Sequence, residues 1–388
     1  MYRHALIAIT VLFFMMGFIT CLNDILVPYM KAVFNLGYTQ ASLVQFCFFG
    51  AYGLTSVPAS NFIEKVGYQK GMVFGFILAA LGCFLFFPAV SFNKYELFLA
   101  ALFVLAVGIV LLQVAANPYV SILGSKESAS SRLTMVQAFN SLGTFIAPFF
   151  GSYYILSKLA ESKKGPIALG YPYLFIAFTL VIVALLLMKM TFPELTTAKD
   201  TEKTSLKEVL RSPGLFMGML GIFMYVGAEV ALGTFLVNYI MDRSSMQETA
   251  AANMVAIYWG GAMVGRFLGI YTLKKFLPSK VLTFHALLAI ALILISINSY
   301  GSTAIYSMIL VGVCNSIMFP TIFTLSISKV KDRHVHKASG LLGTAILGGA
   351  FMPVITGNIA DQVGLRIAFL IPALCYGYIA FFGNRHKV

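Results

Sequence analysis

Apolar runs of about 20 residues, the length at which a helix crosses a lipid bilayer, recur along the whole of this chain. Only 11% of its 388 residues are charged. A soluble domain has about 25%, so lipid must be the solvent for much of the apolar surface. The runs predict an all-α membrane protein of twelve transmembrane helices, near residues 5–30, 41–62, 71–90, 95–122, 132–157, 171–192, 214–241, 249–273, 280–298, 302–328, 337–360 and 364–383.

The longest polar interruption, from Phe192 to Gly214, divides six predicted helices from six. We therefore predict an N-terminal six-helix bundle at residues 1–192 and a C-terminal six-helix bundle at residues 214–388. The segment between them, 193–213, is predicted to be a cytoplasmic linker whose charged stretch holds a short surface helix.

Lysine and arginine are distributed unevenly between the two ends of the predicted helices. If the N-terminus and every second loop face one side, that side receives 19 of the 27 basic residues and the other side 7. Basic residues favour cytoplasmic loops, so both termini and the linker are predicted to be cytoplasmic. The same asymmetry accounts for the formal net charge of +13 without a nucleic-acid partner.

The sequence carries no pattern typical of an enzyme or a metal site. Its five cysteines lie in apolar segments without metal-ligand spacing, and there is no GxxxxGK[ST] loop for ATP. The histidines fall at or outside the ends of the predicted helices, and His334 and His336 are expected to be solvated in a charged loop. We therefore predict no enzymatic activity, no cofactor and no metal.

Asp24 is a carboxylate inside the apolar run from Leu6 to Met30, with no basic residue adjacent in sequence. A charge at the centre of a transmembrane helix costs about 2.5–3.5 kcal/mol on insertion scales. Such residues face a protein interior or a wet cavity and often carry protons or bind ions. Asp24 is therefore a candidate for ion coupling, and the alternative is a structural carboxylate satisfied by neighbouring helices.

The two halves of the sequence repeat each other weakly. An offset of 210 aligns Lys65 with Lys275, and an offset of 202 aligns Pro118 with Pro320. Chance or shared helix composition is the alternative for such short matches. Two parallel six-helix repeats are the architecture of the major facilitator superfamily, in which substrate binds at the midplane between the halves and one half rocks against the other.

Four motifs carry a more specific resemblance. NDILVP at 23–28, LQVAANPYVSILG at 112–124, QAFNSLG at 137–143 and FPTIFTLSI at 319–327 resemble the fucose/glucose/galactose permeases of that superfamily. The resemblance covers nearly the whole chain. It implies uptake of a monosaccharide coupled to an ion gradient, in a protein of the bacterial inner membrane that acts as a monomer.

The resemblance also implies roles for individual residues. Asp24 matches a first-helix carboxylate that takes part in proton coupling, and Gln137 and Asn140 match fifth-helix residues that bind sugar hydroxyls. Gln113 stands where the fucose permease has a second functional carboxylate, and Phe319 stands where it has a tyrosine. These departures favour the glucose/galactose members over fucose itself.

The same amides are also candidates without the family resemblance, on residue type and spacing alone. Gln137 and Asn140 are three apart and share a helix face, and amides offer both donors and acceptors to a sugar hydroxyl. Interhelical hydrogen bonding is the alternative for this pair. Gln113 and Asn117 also share a face, but Asn117 precedes Pro118 and could instead repair the helix at that proline.

Further candidates are assigned more loosely. Asn315, the repeat partner of Gln113, and Gln45 are predicted to contact sugar, as are the aromatic rings of Trp259 and Phe319. Glu229 is the other carboxylate deep in an apolar run, and it is predicted to couple an ion or accept a sugar hydroxyl. A structural role is the alternative.

The remaining tyrosines and phenylalanines are expected to face lipid for the most part. A cytoplasmic gate is predicted from Glu64 and Lys65, in EKVGYQK at 64–70, and from Arg266, which is expected to pair with an acidic residue.

The mechanism we expect is proton symport of a hexose such as galactose or glucose, with fucose and mannose as alternatives. A proton on Asp24 removes the cost of enclosing a bare carboxylate, so the loaded carrier can switch between its two open states. Sodium coupling, a uniporter, and an exporter of other small molecules remain alternatives. The expected partners are the sugar, the coupling ion and the lipid bilayer.

Overall fold

The computed structural model of the protein describes residues 2–33, 38–92, 94–150, 170–190, 192–193, 205–244 and 246–386. Within these ranges the side chains at 2–4, 22–45, 90, 148–150, 170, 172 and 248–249 lie outside the described part. Every described element is helical, which confirms the predicted fold class.

The helices of the first half match the predicted apolar runs. They are α1 (Tyr2–Val33), α2 (Tyr38–Val66), α3 (Tyr68–Ser91), α4 (Tyr95–Ile122), α5 (Ala129–Phe150) and α6 (Gly170–Lys189). The predicted end of the fifth run, at residue 157, lies outside the described residues.

The helices of the second half follow a short linker helix. They are α7 (Leu206–Leu210), α8 (Leu215–Arg243), α9 (Glu248–Lys275), α10 (Pro278–Ile297), α11 (Gly301–Asn315), α12 (Met318–Ile327), α13 (Val335–Thr344), α14 (Gly348–Val363), α15 (Leu365–Ala368) and α16 (Leu370–Arg385). Short 3-10 turns at Asp332–His334 and Ala345–Leu347 flank α13.

Three runs predicted as single helices are interrupted. The tenth divides into α11 and α12, the eleventh into α13 and α14, and the twelfth into α15 and α16. Among the described residues, eight helical stretches are long and apolar enough to cross a membrane, and Ala5–Cys21 and Tyr173–Lys189 are shorter apolar helices. The protein is an integral membrane protein.

The first of two compact units comprises Met1–Leu123, Phe139–Asp200 and Ser339–Thr344. Small residues set the helix spacing within it, since a Cβ added to Gly82 on α3 would meet the backbone of Leu105 on α4. Close approach of backbones replaces the hydrophobic driving force, which is absent in lipid.

The second unit comprises Gly124–Ala138, Thr201–Ala338 and Ala345–Val388. Its α8 and α14 pack closely, because a Cβ on Gly227 would meet the side chain of Met352. The domain boundaries predicted at residues 192 and 214 stay a prediction.

The linker contains the predicted short surface helix, α7. The Ser205 hydroxyl caps its N-terminus by accepting from the Lys207 amide at 3.3 Å. Glu208 then attaches the helix to the turn before α13, where its Oε1 accepts from Nη2 of Arg333 at 3.2 Å.

The expectation that His334 and His336 are solvated was wrong. Both rings are buried. The short turn before α13 folds the ring of His334 inward, where its Nε2 accepts a bond of 3.1 Å from Nε of Arg333. The density of charges in this loop gave no sign of that inward turn.

Candidate functional site

A proline leaves one buried backbone carbonyl of α4 without its usual helical donor, and a serine far away in the sequence bonds that carbonyl. Pro118 has no N–H to donate to the carbonyl of Val114 one turn earlier, yet α4 continues through it. The Ser339 hydroxyl donates to that carbonyl at 3.0 Å. Ser339 therefore repairs the helix, and the suggestion that Asn117 does so was wrong.

The two amides of α4 consequently remain available as site residues. Asn117 is buried, and its Oδ1 has no hydrogen-bond partner among the described residues. Gln113, one turn away, is half-buried, and its amide makes no hydrogen bond to another described residue. Both side chains lie in the first unit.

Asn140 on α5 has a structural bond. Its Nδ2 donates to the carbonyl of Phe13 on α1 at 2.9 Å. The two helices touch backbone to backbone, because an added Cβ on Gly17 would collide with the Asn140 carbonyl and one on Gly143 with the Phe14 carbonyl. The interhelical alternative considered for Asn140 thus holds for its amide nitrogen, and its contact with sugar stays a prediction.

Several predicted residues of the first unit cannot be placed in the site. The side chains of Asp24 and Gln45 lie outside the described residues, although both positions are helical. Glu64 and Lys65 are exposed in the last turn of α2. Their role in a cytoplasmic gate stays a prediction.

The second proline produces a different local structure from the first. Pro320 cannot donate to the Ser316 carbonyl, and the helix is interrupted at residues 316–317, between α11 and α12. We call this interruption the α11–α12 break. Three successive carbonyls at the start of the break, those of Cys314 and Asn315 at the end of α11 and that of Ser316, are contacted by side chains from three other helices.

Each of the three contacts uses a different kind of side chain. Nδ1 of His285 on α10 lies 3.1 Å from the Cys314 carbonyl, Oη of Tyr225 on α8 lies 3.1 Å from the Asn315 carbonyl, and Nε of Arg266 on α9 lies 3.2 Å from the Ser316 carbonyl. Because a carbonyl only accepts, Nδ1 of His285 carries the hydrogen in this contact. The histidine lies within a membrane-spanning helix, so the prediction that histidines occupy only the ends was wrong.

Arg266 also reaches a predicted sugar residue. Its Nη1 donates to the backbone carbonyl of Gln137 at 3.4 Å. Gln137 itself is 8% exposed, and its side-chain amide makes no hydrogen bond to another described residue. The structure therefore brings Arg266 together with Gln137 and the α11–α12 break, and the gate assigned to Arg266 stays a prediction.

Asn315 is the centre of a tyrosine cluster that the sequence did not reveal. Its Nδ2 donates to Oη of Tyr258 at 2.8 Å, and Oη of Tyr376 donates to its Oδ1 at 2.6 Å. Together with Tyr225 these tyrosines are fully buried, so the expectation that tyrosines mostly face lipid was wrong for them. Asn315 is only 1% exposed with both amide atoms engaged, and direct contact with sugar stays a prediction for it.

Glu229 is the acidic member of the same cluster. Oη of Tyr225, one turn earlier on α8, lies 2.8 Å from its Oε1. The guanidinium of Arg266 interacts electrostatically with the carboxylate. Glu229 is half-buried, whereas the three tyrosines are fully enclosed, so it is the more accessible end of the cluster.

The two aromatic candidates lie beside this cluster. Trp259 is 41% exposed and stands edge-on to Tyr258, with ring centroids 5.2 Å apart. Phe319, in the first turn of α12, is half-buried and stacks on Phe323 with ring centroids 6.2 Å apart. Both rings keep accessible surface, and their contact with sugar stays a prediction.

Among the described residues no group of three histidine, cysteine or acidic side chains is placed to hold a metal ion. The first unit instead offers the unpartnered amides of α4, and the second offers the amide of Gln137, aromatic rings and one carboxylate bonded to a tyrosine. Amides and rings of this kind can bind a neutral polyol by hydrogen bonds and stacking, and a carboxylate can take up a proton.

Comparison with known proteins identifies the family. A sequence model of the Major Facilitator Superfamily matches residues 7–346. The chain belongs to this superfamily. It is 48% identical over 389 residues to a glucose/galactose transporter of Brucella abortus, covering 98% of this chain and 94% of the relative. It is 35% identical over 402 residues to the L-fucose-proton symporter of Escherichia coli, covering 96% and 91%.

A solved structure of the E. coli fucose:proton symporter superposes with a TM-score of 0.91 at 32% identity, covering 100% of this chain and 99% of that one. The predicted family resemblance and the twelve-helix superfamily fold are confirmed.

Proposed function

We propose that this protein imports a monosaccharide by proton symport, through alternating access, with a hexose such as galactose or glucose as substrate. The observation that carries the proposal is the amides of Gln113, Asn117 and Gln137, which have polar atoms without a hydrogen-bond partner among the described residues. The nearly full-length similarity to a glucose/galactose transporter and to a fucose-proton symporter supports it.

The amides bind sugar hydroxyls in this proposal. Each hydroxyl both donates and accepts, and an amide supplies the complementary pair. Trp259 and Phe319 cover the apolar face of the pyranose. Asn140, Gln45 and Asn315 complete the proposed sugar site.

Coupling is assigned to Asp24, with Glu229 as a second group. The first-helix carboxylate takes a proton before the site closes, because enclosing a charge away from water costs several kcal/mol. Release of the proton on the cytoplasmic side restores the charge and disfavours closure around an unloaded site.

We place the protein in the bacterial inner membrane with both termini in the cytoplasm, as a monomer that is a carrier and not an enzyme. The excess of basic residues in alternate loops supports this orientation.

The test uses purified protein in liposomes. An inward proton gradient should concentrate galactose or glucose, and a competition panel of galactose, glucose, mannose and fucose should identify the substrate. Asp24→Asn should lose driven uptake and retain sugar exchange. Sodium dependence without pH dependence would select sodium coupling, transport without either gradient would select a uniporter, and concentrative uptake by Asp24→Asn would overturn the assignment of the coupling residue.

A further inference from the structure

Two of the three side chains that hold the α11–α12 break, Tyr225 and Arg266, connect to one carboxylate. Asn315 is the last residue of α11, so its carbonyl lacks an intrahelical partner and depends on Tyr225. The Ser316 carbonyl depends on Arg266, because Pro320 has no N–H. Glu229 contacts the first of these two side chains and attracts the second.

Tyr225 has one hydroxyl hydrogen and two acceptors. Its Oη lies 2.8 Å from Oε1 of Glu229 and 3.1 Å from the Asn315 carbonyl. A charged acceptor forms the stronger bond, so the hydrogen points to Glu229 while the carboxylate is ionised. The Asn315 carbonyl is then held only weakly.

The groups facing Glu229 are few. Tyr225 lies on its own helix, Arg266 and Tyr258 come from α9, and Tyr376 comes from α16. Asn315 of α11 bonds Tyr258 and Tyr376, and it does not titrate. Neither α12 nor α14 contributes a charged group toward Glu229 among the described residues.

We propose that Glu229 is a proton-binding site whose occupancy sets how firmly the α11–α12 break is held, with Tyr225 and Arg266 as the positioning residues that convey it. The proposal deepens the proton symport proposed above and rests on it.

Protonation of Glu229 rearranges these hydrogen bonds by moving hydrogen atoms only, and no heavy atom has to move. A hydronium ion gives its proton to the Glu229 carboxylate and leaves as water, and the new carboxyl hydroxyl donates to Oη of Tyr225. The tyrosine hydrogen rotates away from Oε1 and donates to the Asn315 carbonyl. Arg266 loses a countercharge at the same time and is held more by the carbonyls of Ser316 and Gln137, both of which it already contacts.

Protonation of Glu229 also affects two residues of the proposed sugar site that lie in the same unit. Phe319 is in the first turn after the break, and the Gln137 carbonyl is bonded to Arg266. Protonation of Glu229 should therefore fix both residues and strengthen sugar binding. One additional hydrogen bond of ordinary strength corresponds to about fivefold in affinity.

The chain provides its own reporter for the test. Trp259 is the only tryptophan. Its ring stands against Tyr258 and beside Gly233, one turn after Glu229 on α8. Its fluorescence is therefore sensitive to rearrangement of the cluster.

The experiment titrates the fluorescence of Trp259 in sugar-free proteoliposomes between about pH 3 and about pH 8, a range that spans ordinary carboxyl and histidine titration. We expect a transition in the wild type and in Asp24→Asn, and its loss in Glu229→Gln. Tyr225→Phe should keep the infrared carboxyl signal of Glu229 titration but lose the fluorescence transition and the about fivefold pH effect on sugar affinity.

Two results would overturn the proposal. One is an unchanged fluorescence transition in Glu229→Gln, and the other is full retention of both signals in Tyr225→Phe. If Glu229→Gln does not fold, Glu229→Asp provides the same comparison, since a shorter carboxylate should titrate without reaching Tyr225. The fluorescence needs neither sugar nor transport, so failure of proton-driven uptake is scored separately.

Discussion

The repair of α4 by Ser339 leads to a quantitative prediction about stability. The Ser339 hydroxyl donates to the Val114 carbonyl at 3.0 Å, and both residues are buried. Ser339→Ala leaves that carbonyl without a donor, because Pro118 supplies none. An unsatisfied buried polar group costs about 1–3 kcal/mol, and interhelical bonds in membranes average about 0.6 kcal/mol, so we expect a loss of about 1 kcal/mol of unfolding free energy.

A double-mutant cycle isolates the cause. Pro118→Ala restores an N–H at position 118 that can bond the Val114 carbonyl within the helix. In that background Ser339→Ala should cost less than about 0.5 kcal/mol, which leaves a coupling energy of about 0.5 kcal/mol or more. Ser326→Ala is the matched control, because the Ser326 hydroxyl bonds a carbonyl of its own helix, that of Ile322, at 2.6 Å.

The assay is reversible denaturant unfolding in mixed lipid–detergent micelles, followed by helical circular dichroism. Equal costs of Ser339→Ala with Pro118 and with alanine at position 118 would refute the reasoning. A cost of Ser326→Ala as large as that of Ser339→Ala would refute it as well, since it would show that any buried hydroxyl has the same effect.

Further predictions concern other parts of the chain. Gly214→Ala should destabilise more than Gly301→Ala in thermal melts: both glycines have positive φ, but only at Gly214 would the new Cβ meet a side chain, that of His386. Burial lowers the pKa of His386 in the folded protein below that of a histidine in the unfolded chain. The unfolded chain therefore binds one more proton at low pH, and the free energy of unfolding should fall as pH drops below about 6.5. His386→Leu should make the free energy of unfolding less dependent on pH in this range. Gln137→Ala should weaken sugar binding measured by calorimetry without loss of stability, whereas Asn140→Ala should also lower unfolding free energy by about 0.6 kcal/mol.

The positions of the helices could be predicted from the sequence because apolar length alone determines which segments cross a bilayer. The repeat aligned Pro118 with Pro320, but it could not show that α4 continues through its proline while the later helix breaks. That difference depends on partners far away in the chain. Ser339 lies 225 residues from Val114, and Arg266 lies 50 residues from Ser316.

The candidate site was predictable only in part for a related reason. Glutamine and asparagine inside apolar runs stand out in a sequence, and Gln113, Asn117 and Gln137 do have unpartnered polar atoms among the described residues. Tyrosines in such runs do not stand out, because their rings are mostly hydrocarbon. Tyr225 and Tyr258 become recognisable only when the structure places their hydroxyls on Glu229 and Asn315.

The contact between α1 and α5 has a consequence for how such a carrier can move. At Gly17 and Gly143 only hydrogen atoms separate the two backbones, and the Asn140 amide ties them with a bond to Phe13. Helices that touch in this way cannot slide past one another without opening a void, so we expect them to move as one rigid body. The helix that carries Asp24 and the helix that carries Asn140 should therefore move together in every conformational change of the transport cycle.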